Sequence, residues 1–336
     1  MSPQVQTPAR IAFASRLGYG SLTALTLMVY SEHLFWARPG PWIRAEELLP
    51  TFLAYAVAAY LFLTVVAHFR VRSLAALYLA GAVYGWFLEG VIVQTMYDDF
   101  PLNLSFTGLA WHALISVIIG WGVVPASLSR GSSGRTAALS IALGAGYGLW
   151  ALWWWTIEPP PAALANFAAY TLVLALALML AYGLAPRLPL QAFHPGKAER
   201  GVLFVLAGAY FVAVTVSTQP LSLIVLPPLA LVVLVALSRN RRNETRQDQI
   251  QVALASPSPG AGQLLLLLLL PLTASTVYAL ADAIDARPPT GMLLYLITVP
   301  LGFGLLVWAL ASILRQPRAG QTDGGLAAPT SGFSDS

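Results

Sequence analysis

The sequence predicts an all-α, polytopic integral membrane protein with about ten transmembrane helices, its N-terminus and C-terminus both cytoplasmic. Two compositional facts favour this fold class: 57 % of the 336 residues are hydrophobic and only 10 % are charged, which is typical of a membrane protein. The third observation is a series of long apolar segments, most of them near the ~20 residues that a bilayer-spanning helix needs. The segments are 17–36, 50–68, 73–95, 106–128, 137–157, 163–185, 202–217, 219–238, 263–282 and 290–314.

The basic residues indicate how the chain is oriented. Of the 18 Lys and Arg residues, fifteen lie in alternate gaps between the apolar segments, and only Arg38, Arg44 and Arg287 lie in the other gaps. Cytoplasmic loops of membrane proteins carry the excess of Lys and Arg. Ten spans and a cytoplasmic N-terminus place all fifteen of these basic residues in the cytoplasm, whereas an odd number of helices would put some of them on the outer side. We therefore expect a multi-pass protein of the plasma (inner) membrane.

The apolar segments divide the chain into five regions. A short cytoplasmic lead precedes a membrane bundle of about eight helices. A basic stretch that turns into a Ser/Pro/Gly-rich stretch is then typical of a flexible cytoplasmic linker. The last two segments form a transmembrane hairpin, and the tail has too little apolar content to fold, so we expect it to be disordered in the cytoplasm. The regions are 1–16, 17–238, 239–262, 263–314 and 315–336.

Composition also limits the chemistry and the partners. The chain contains no cysteine, which excludes disulfides, thiolate-bound zinc, iron–sulfur clusters and a thiol nucleophile. The basic residues sit in short loops, where orientation and anionic headgroups account for them; membrane lipids are therefore the expected partners, and nucleic acid is not. No spacing such as H-E-x-x-H occurs, so no metal site is predicted. The residues specify neither a cofactor nor an oligomeric state, and they identify no known family.

Glu89 and His112 interrupt the third and fourth apolar segments. An ionisable group inside a bilayer is costly, about 2.5–3.5 kcal/mol for a charged centre on insertion scales, so such groups face protein or water. Each residue belongs to a stripe with a spacing of four, and small residues at this spacing line the faces where membrane helices approach closely. Both ionisable groups are therefore predicted on packing faces. The stripes are Gly81, Gly85 and Glu89, and Gly108, His112, Ser116 and Gly120.

A short outer hairpin joins these two segments. Glu89 lies about six residues before it and His112 about six after it, so at ~1.5 Å per residue each is roughly 9 Å below the outer boundary. We predict that the two side chains are close in the outer third of the membrane, where such a pair can exchange a proton near neutral pH. Six further residues are predicted to surround a substrate at this level: Asp98, Asp99, Trp111, Trp86, Glu32 and His33.

Three functions are open at this point. In the first, the protein is a membrane-embedded enzyme that acts on a lipid-like or isoprenoid substrate, with Glu89 and His112 as catalytic acid and base. In the second, it is a secondary transporter in which the same pair couples transport to protons. In the third, it is a structural subunit of a membrane complex, and the pair only fixes helix packing. An apolar or amphiphilic small molecule is the expected ligand of the first.

Overall fold

A computed structural model describes residues 9–37, 45–153, 155, 162–190, 192–243 and 247–315. Within these ranges the chain is helical and contains no strand. Eight of the helices there are long and apolar enough to cross a membrane. The described part of the chain thus has the architecture of a multi-pass helical membrane protein, as predicted.

Eleven helices, numbered in chain order, make up most of the described ranges, and a short 3₁₀ turn at Thr95–Tyr97 lies between the third and the fourth. They are α1 (Ala9–Met28, continued as helix through Trp36), α2 (Ala45–His68), α3 (Leu74–Ile92), α4 (Leu102–Ser129), α5 (Ser133–Ala151), α6 (Leu164–Arg187), α7 (Lys197–Thr218), α8 (Ser222–Asn243), α9 (Gln249–Ala255), α10 (Ala261–Ala283) and α11 (Thr290–Leu314).

The count of ten spans stays a prediction. Each predicted segment corresponds to one of the long helices, but α1 and α5 are not among the eight that qualify by length and apolarity within the described residues. Polar residues explain this difference: α1 contains Arg16, Glu32 and His33, and α5 begins with Ser133, Gly134 and Arg135. Both helices nevertheless have the length of a span.

Small residues bring the helices together along the predicted stripes. A Cβ atom on Gly85 of α3 would lie 2.2 Å from the carbonyl oxygen of Gly108 on α4. Similarly, a Cβ on Gly148 of α5 would lie 2.6 Å from the carbonyl oxygen of Ala274 on α10. Only glycine permits such approaches of two backbones. The predicted packing faces of α3 and α4 are therefore confirmed, and α5 uses the same device against α10.

Contacts near the helix ends are compatible with successive helices that run in opposite directions. Each described contact joins two positions that an alternating topology places at the same end of the bundle. The end that contains Arg16 and Val71 is called the inner end, and the end that contains Gln94 is called the outer end. The contacts are Arg16 Nη2 with Glu199 Oε2 (2.8 Å) and the Gln249 amide with the Val71 carbonyl (2.8 Å) at the inner end, and the Thr218 hydroxyl with Gln94 Oε1 (2.6 Å) at the outer end.

The predicted linker 239–262 contains ordered structure. Helix α8 continues to Asn243, and α9 then forms a short helix that docks on the inner end. The Asp248 carboxylate caps α9 by accepting a hydrogen bond from the Gln251 amide (2.9 Å), and Ile250 is completely buried. Burial raises the pKa of the Asp248 carboxyl. Residues 1–8 and the predicted tail from residue 316 onward lie outside the described residues.

Candidate functional site

Glu89 and His112 form a direct contact between α3 and α4. Nε2 of His112 lies 2.7 Å from Oε1 of Glu89, and the side chains are 2 % and 12 % exposed. The predicted proximity of the two groups is confirmed. The close approach at Gly85, one turn before Glu89, explains this contact. A larger residue at position 85 would hold α3 away from α4, because its Cβ would lie 2.8 Å from the His112 Cβ.

Hydroxyl groups complete the hydrogen bonding of this pair. Nδ1 of His112 lies 2.9 Å from Oγ of Ser31 on α1, whose hydroxyl donates to Ser116 (2.8 Å). The Ser116 hydroxyl in turn donates to a backbone carbonyl. The Thr95 hydroxyl donates to the second carboxylate oxygen of Glu89. Both ring nitrogens and both carboxylate oxygens therefore have partners within the bundle.

The direction of these hydrogen bonds assigns the protons. Because the Ser31 hydroxyl donates to Ser116, its oxygen is the acceptor for His112, so Nδ1 carries a hydrogen. One further proton then lies between Nε2 and Oε1 of Glu89, either on the imidazole as an ion pair or on the carboxyl as a neutral pair. The arrangement thus holds one proton that can move between two groups 2.7 Å apart.

Glu32 adds a second carboxylate to the cluster. Its two oxygens accept hydrogen bonds from Trp36 Nε1 (3.0 Å) and from the Tyr55 hydroxyl (3.3 Å). It lies within electrostatic range of both Glu89 and His112. Two carboxylates and one imidazole therefore lie in the outer half of α1, α3 and α4. Among the six predicted substrate-binding residues, Glu32 is one whose charge interacts with the pair.

The other predicted polar residues lie apart from the pair. His33 faces away from it, and its Nδ1 lies 3.1 Å from the Tyr170 hydroxyl on α6. Asp98 and Asp99 are exposed in the turn between α3 and α4, where the Tyr295 hydroxyl of α11 donates to Asp99.

The two predicted tryptophans are buried between helices. Trp86 Nε1 donates to the Leu104 carbonyl (3.2 Å), and Trp111 Nε1 donates to the Tyr30 carbonyl (2.9 Å). The Trp111 ring packs edge-on against Phe35, with 4.9 Å between centroids. Their binding of a substrate chain stays a prediction.

Three of the four π-helical segments in the described chain carry the cluster. Ser31, Glu32 and His33 lie in one of them, Glu89 lies in a second, and His112 lies in a π-helix that forms most of α4, where a regular α-helix was expected. π-Helical turns are rare and are frequently found at functional sites, because the extra residue in the turn redirects a side chain. The four segments are Val29–His33, Leu88–Ile92, Phe106–Val123 and Phe211–Thr215.

Sequence reasoning missed the hydroxyl partners. Ser31 precedes Glu32 at the end of an apolar segment, so its position beside an acidic residue was the only local signal. Tyr84, whose hydroxyl lies 3.3 Å from Ser31, and Tyr55 resemble the many other aromatic residues of the chain. Their roles depend on which helices are neighbours, and this information is not local.

Two cavities lie at opposite ends of α1 and α4. The inner cavity has a volume of about 340 Å³ and is lined by residues between Tyr19 and Thr26 of α1 and by the last part of α4. The outer groove, about 420 Å³, is lined mainly by aromatic rings, among them Phe35, Phe106, Trp150 and Tyr295. Within the described ranges, no group of three or more His, Asp and Glu residues is close enough to hold a metal ion.

Fold and site together define a multi-pass helical membrane protein with a buried Glu–His pair between its third and fourth helices. No protein-family model matches the chain, and no curated protein or solved structure is significantly similar to it.

Proposed function

We propose that the protein is a ten-span transporter of the plasma membrane, with both termini in the cytoplasm, that couples solute movement to proton exchange at Glu89 and His112. The inner end of the bundle would face the cytoplasm. Two facts support this orientation: fifteen of the 18 basic residues belong to the inner end by the alternating topology, and the described loop contacts are compatible with that alternation.

The observation that carries the proposal is the 2.7 Å contact between Nε2 of His112 and Oε1 of Glu89. The partners of these two groups leave one proton between them, and a second carboxylate, Glu32, lies within electrostatic range of both. Groups of this kind inside a membrane bundle are typical of proton relays. Their location in three π-helical segments supports a functional role, because a packing contact does not require unusual backbone geometry.

Two features favour transport over catalysis. All four polar atoms of the pair already have hydrogen-bond partners within the bundle, so neither ring N–H of His112 is left for a substrate in this state. The cavities open at opposite ends of α1 and α4, the two helices that carry Ser31, Glu32 and His112. A transporter with alternating access needs a site between two such openings.

The test compares cells that contain wild-type protein, no protein, Glu89→Gln or His112→Ala, with the exposed Glu47→Gln as control. Intracellular and extracellular metabolites are measured with and without a protonophore, and lipids are extracted in parallel. We expect one or more soluble metabolites whose inside-to-outside ratio requires the wild-type protein and the proton gradient. Glu47→Gln would restore this ratio, whereas the two site variants would not. Full restoration by both site variants would overturn the proposal.

A second candidate, a membrane-embedded enzyme with a lipid-like or isoprenoid substrate, is favoured by the outer aromatic groove. Two residues that line this groove contact predicted substrate residues: the Phe35 ring packs on Trp111, and the Tyr295 hydroxyl donates to Asp99. An apolar chain in the groove would therefore lie near both. A lipid species that changes on deletion and that neither site variant restores would favour this function. Unchanged lipids and unchanged metabolite ratios would favour a structural subunit.

A further inference from the structure

The inner cavity lies far along α1 and α4 from the Glu89–His112 pair. Its walls come from α1, α4 and α6, and α9 with the residues that follow it forms the roof. A volume of about 340 Å³ falls within the ~300–1,000 Å³ that is usual for small-molecule sites. The cavity is thus large enough for a headgroup and the first atoms of an attached chain.

The mouth of this cavity is cationic. Arg72, in the turn between α2 and α3, and Arg130, at the end of α4, both line it and are both exposed. Among the residues that the structure describes, neither guanidinium has an ion-pair partner. The nearby Asp248 carboxylate is occupied by capping α9. Two arginines at one opening suit a phosphate group, which guanidinium groups bind through paired hydrogen bonds.

The wall below the mouth contains two hydroxyls with no partner. Tyr19 and Thr23 line the cavity and are 5 % and 3 % exposed. Neither hydroxyl has a hydrogen-bond partner among the described residues, whereas the Thr26 hydroxyl, one turn further, donates to the Leu22 carbonyl. Neither oxygen is among the fully buried unpartnered polar atoms of the described residues, so both are open to the cavity and free to donate to a polar ligand or water there. Around them the wall is apolar and includes Trp121.

We propose that the inner cavity binds the phosphate group of an anionic amphiphile. Arg72 and Arg130 hold the phosphate oxygens, the hydroxyls of Tyr19 and Thr23 donate to the oxygens of the headgroup, and the apolar wall near Trp121 covers the start of the chain. Basic pockets between transmembrane helices at the cytoplasmic side are a known way of binding lipid phosphates. The shared chemistry is a phosphate ester, which a membrane lipid or a soluble metabolite can supply.

Helix α9 makes the binding observable. It lines the cavity through Gln249, Val252 and Ala253. The Gln249 amide, which donates to the Val71 carbonyl next to Arg72, and the fully buried Ile250 side chain hold the helix in this position. A ligand under this roof stabilises the closed position of α9. Amide hydrogen exchange of residues 249–255 therefore reports on occupancy without any measurement of transport.

The experiment uses the full-length protein in nanodiscs of phosphatidylcholine, with or without phosphatidic acid, and separately with inorganic phosphate. We expect phosphatidic acid to be retained in native mass spectrometry and to slow exchange in 249–255. Arg72→Gln and Arg130→Gln each weaken binding about tenfold or more, since each removes a charge-assisted contact. Thr23→Val, which keeps the shape of the side chain, weakens it less. Arg135→Gln, which removes an exposed charge from the same end, leaves it unchanged.

The outcomes separate the two ligand sources and the two proposals. An effect of phosphatidic acid alone assigns a lipid, and an equal effect of inorganic phosphate assigns a soluble phosphate ester; both support the site. Absence of both effects, or equal losses in Arg130→Gln and Arg135→Gln, would overturn it. The inference does not rest on the proposed transport, because Glu89→Gln is expected to bind the probe normally.

Discussion

His112→Ala is expected to destabilise the fold far more than Glu89→Gln, although both variants change the same 2.7 Å hydrogen bond. In Glu89→Gln the amide oxygen can accept from Thr95, and the amide nitrogen can donate to Nε2 of a neutral imidazole whose Nδ1–H still bonds to Ser31. Each polar atom keeps a partner. The loss is then the difference between a charge-assisted and a neutral hydrogen bond, about 1 kcal/mol.

In His112→Ala, by contrast, the buried Glu89 carboxylate loses a hydrogen-bond partner. The Glu89 side chain, only 12 % exposed, loses the partner of one carboxylate oxygen while the other stays bound to Thr95. Removing one member of a buried ion pair costs about 3–5 kcal/mol, because an uncompensated charge remains. The expected gap between the two variants is therefore about 2–4 kcal/mol. Adding Glu89→Gln to His112→Ala removes that charge, so the double variant should recover part of the loss.

Unfolding of the purified variants in mixed micelles, followed by tryptophan fluorescence, measures this order. We expect stability to fall from wild type through Glu89→Gln and the double variant to His112→Ala. The interaction energy from the cycle separates the pair from the rest of the packing. Equal losses in the two single variants, or a double variant less stable than His112→Ala, would refute the reasoning that His112→Ala leaves an unpaired charge on Glu89.

Three further predictions concern packing, topology and the linker. Gly148→Ala should destabilise the protein in the same unfolding assay, because the new Cβ would lie 2.6 Å from the α10 backbone. The control Gly146→Ala, whose Cβ would have nothing within 4 Å, should be neutral or stabilising by up to ~1 kcal/mol. A larger loss in Gly146→Ala than in Gly148→Ala would contradict the packing of α5 against α10. Single-cysteine labelling is specific because the chain lacks cysteine. Asp98→Cys should react with an impermeant maleimide added outside cells, and Ser133→Cys only after permeabilisation. The opposite pattern would show that the predicted orientation is wrong. Ile250→Ser should release α9 and speed amide exchange in 249–255, whereas unchanged exchange would show that its burial does not hold the helix.

The sequence predicted the site as far as local information reaches. A spacing of four placed Glu89 and Gly85 on one face of α3, and a short hairpin made α3 and α4 neighbours, so the contact with His112 followed. It could not predict Ser31 and Tyr84 as partners, because these depend on how α1 packs against α3 and α4. The π-helical backbone of α4 was missed for a similar reason: an apolar run looks the same whether its hydrogen bonds join residues four or five apart.

Helix packing alone does not account for the Glu89–His112 pair. The glycines already bring α3 and α4 into backbone contact, since Cβ atoms at Gly81 and Gly85 would lie 2.9 Å and 2.2 Å from backbone atoms of α4. An apolar pair of similar volume would hold such an interface as well as a buried ion pair does, and often better. The chain instead places a carboxylate and an imidazole there, with hydroxyl partners and with a second carboxylate on α1, and all three residues lie in π-helical segments. Such a loss of stability is expected where the proton itself is used, and it is the reason to propose a chemical role for Glu89 and His112.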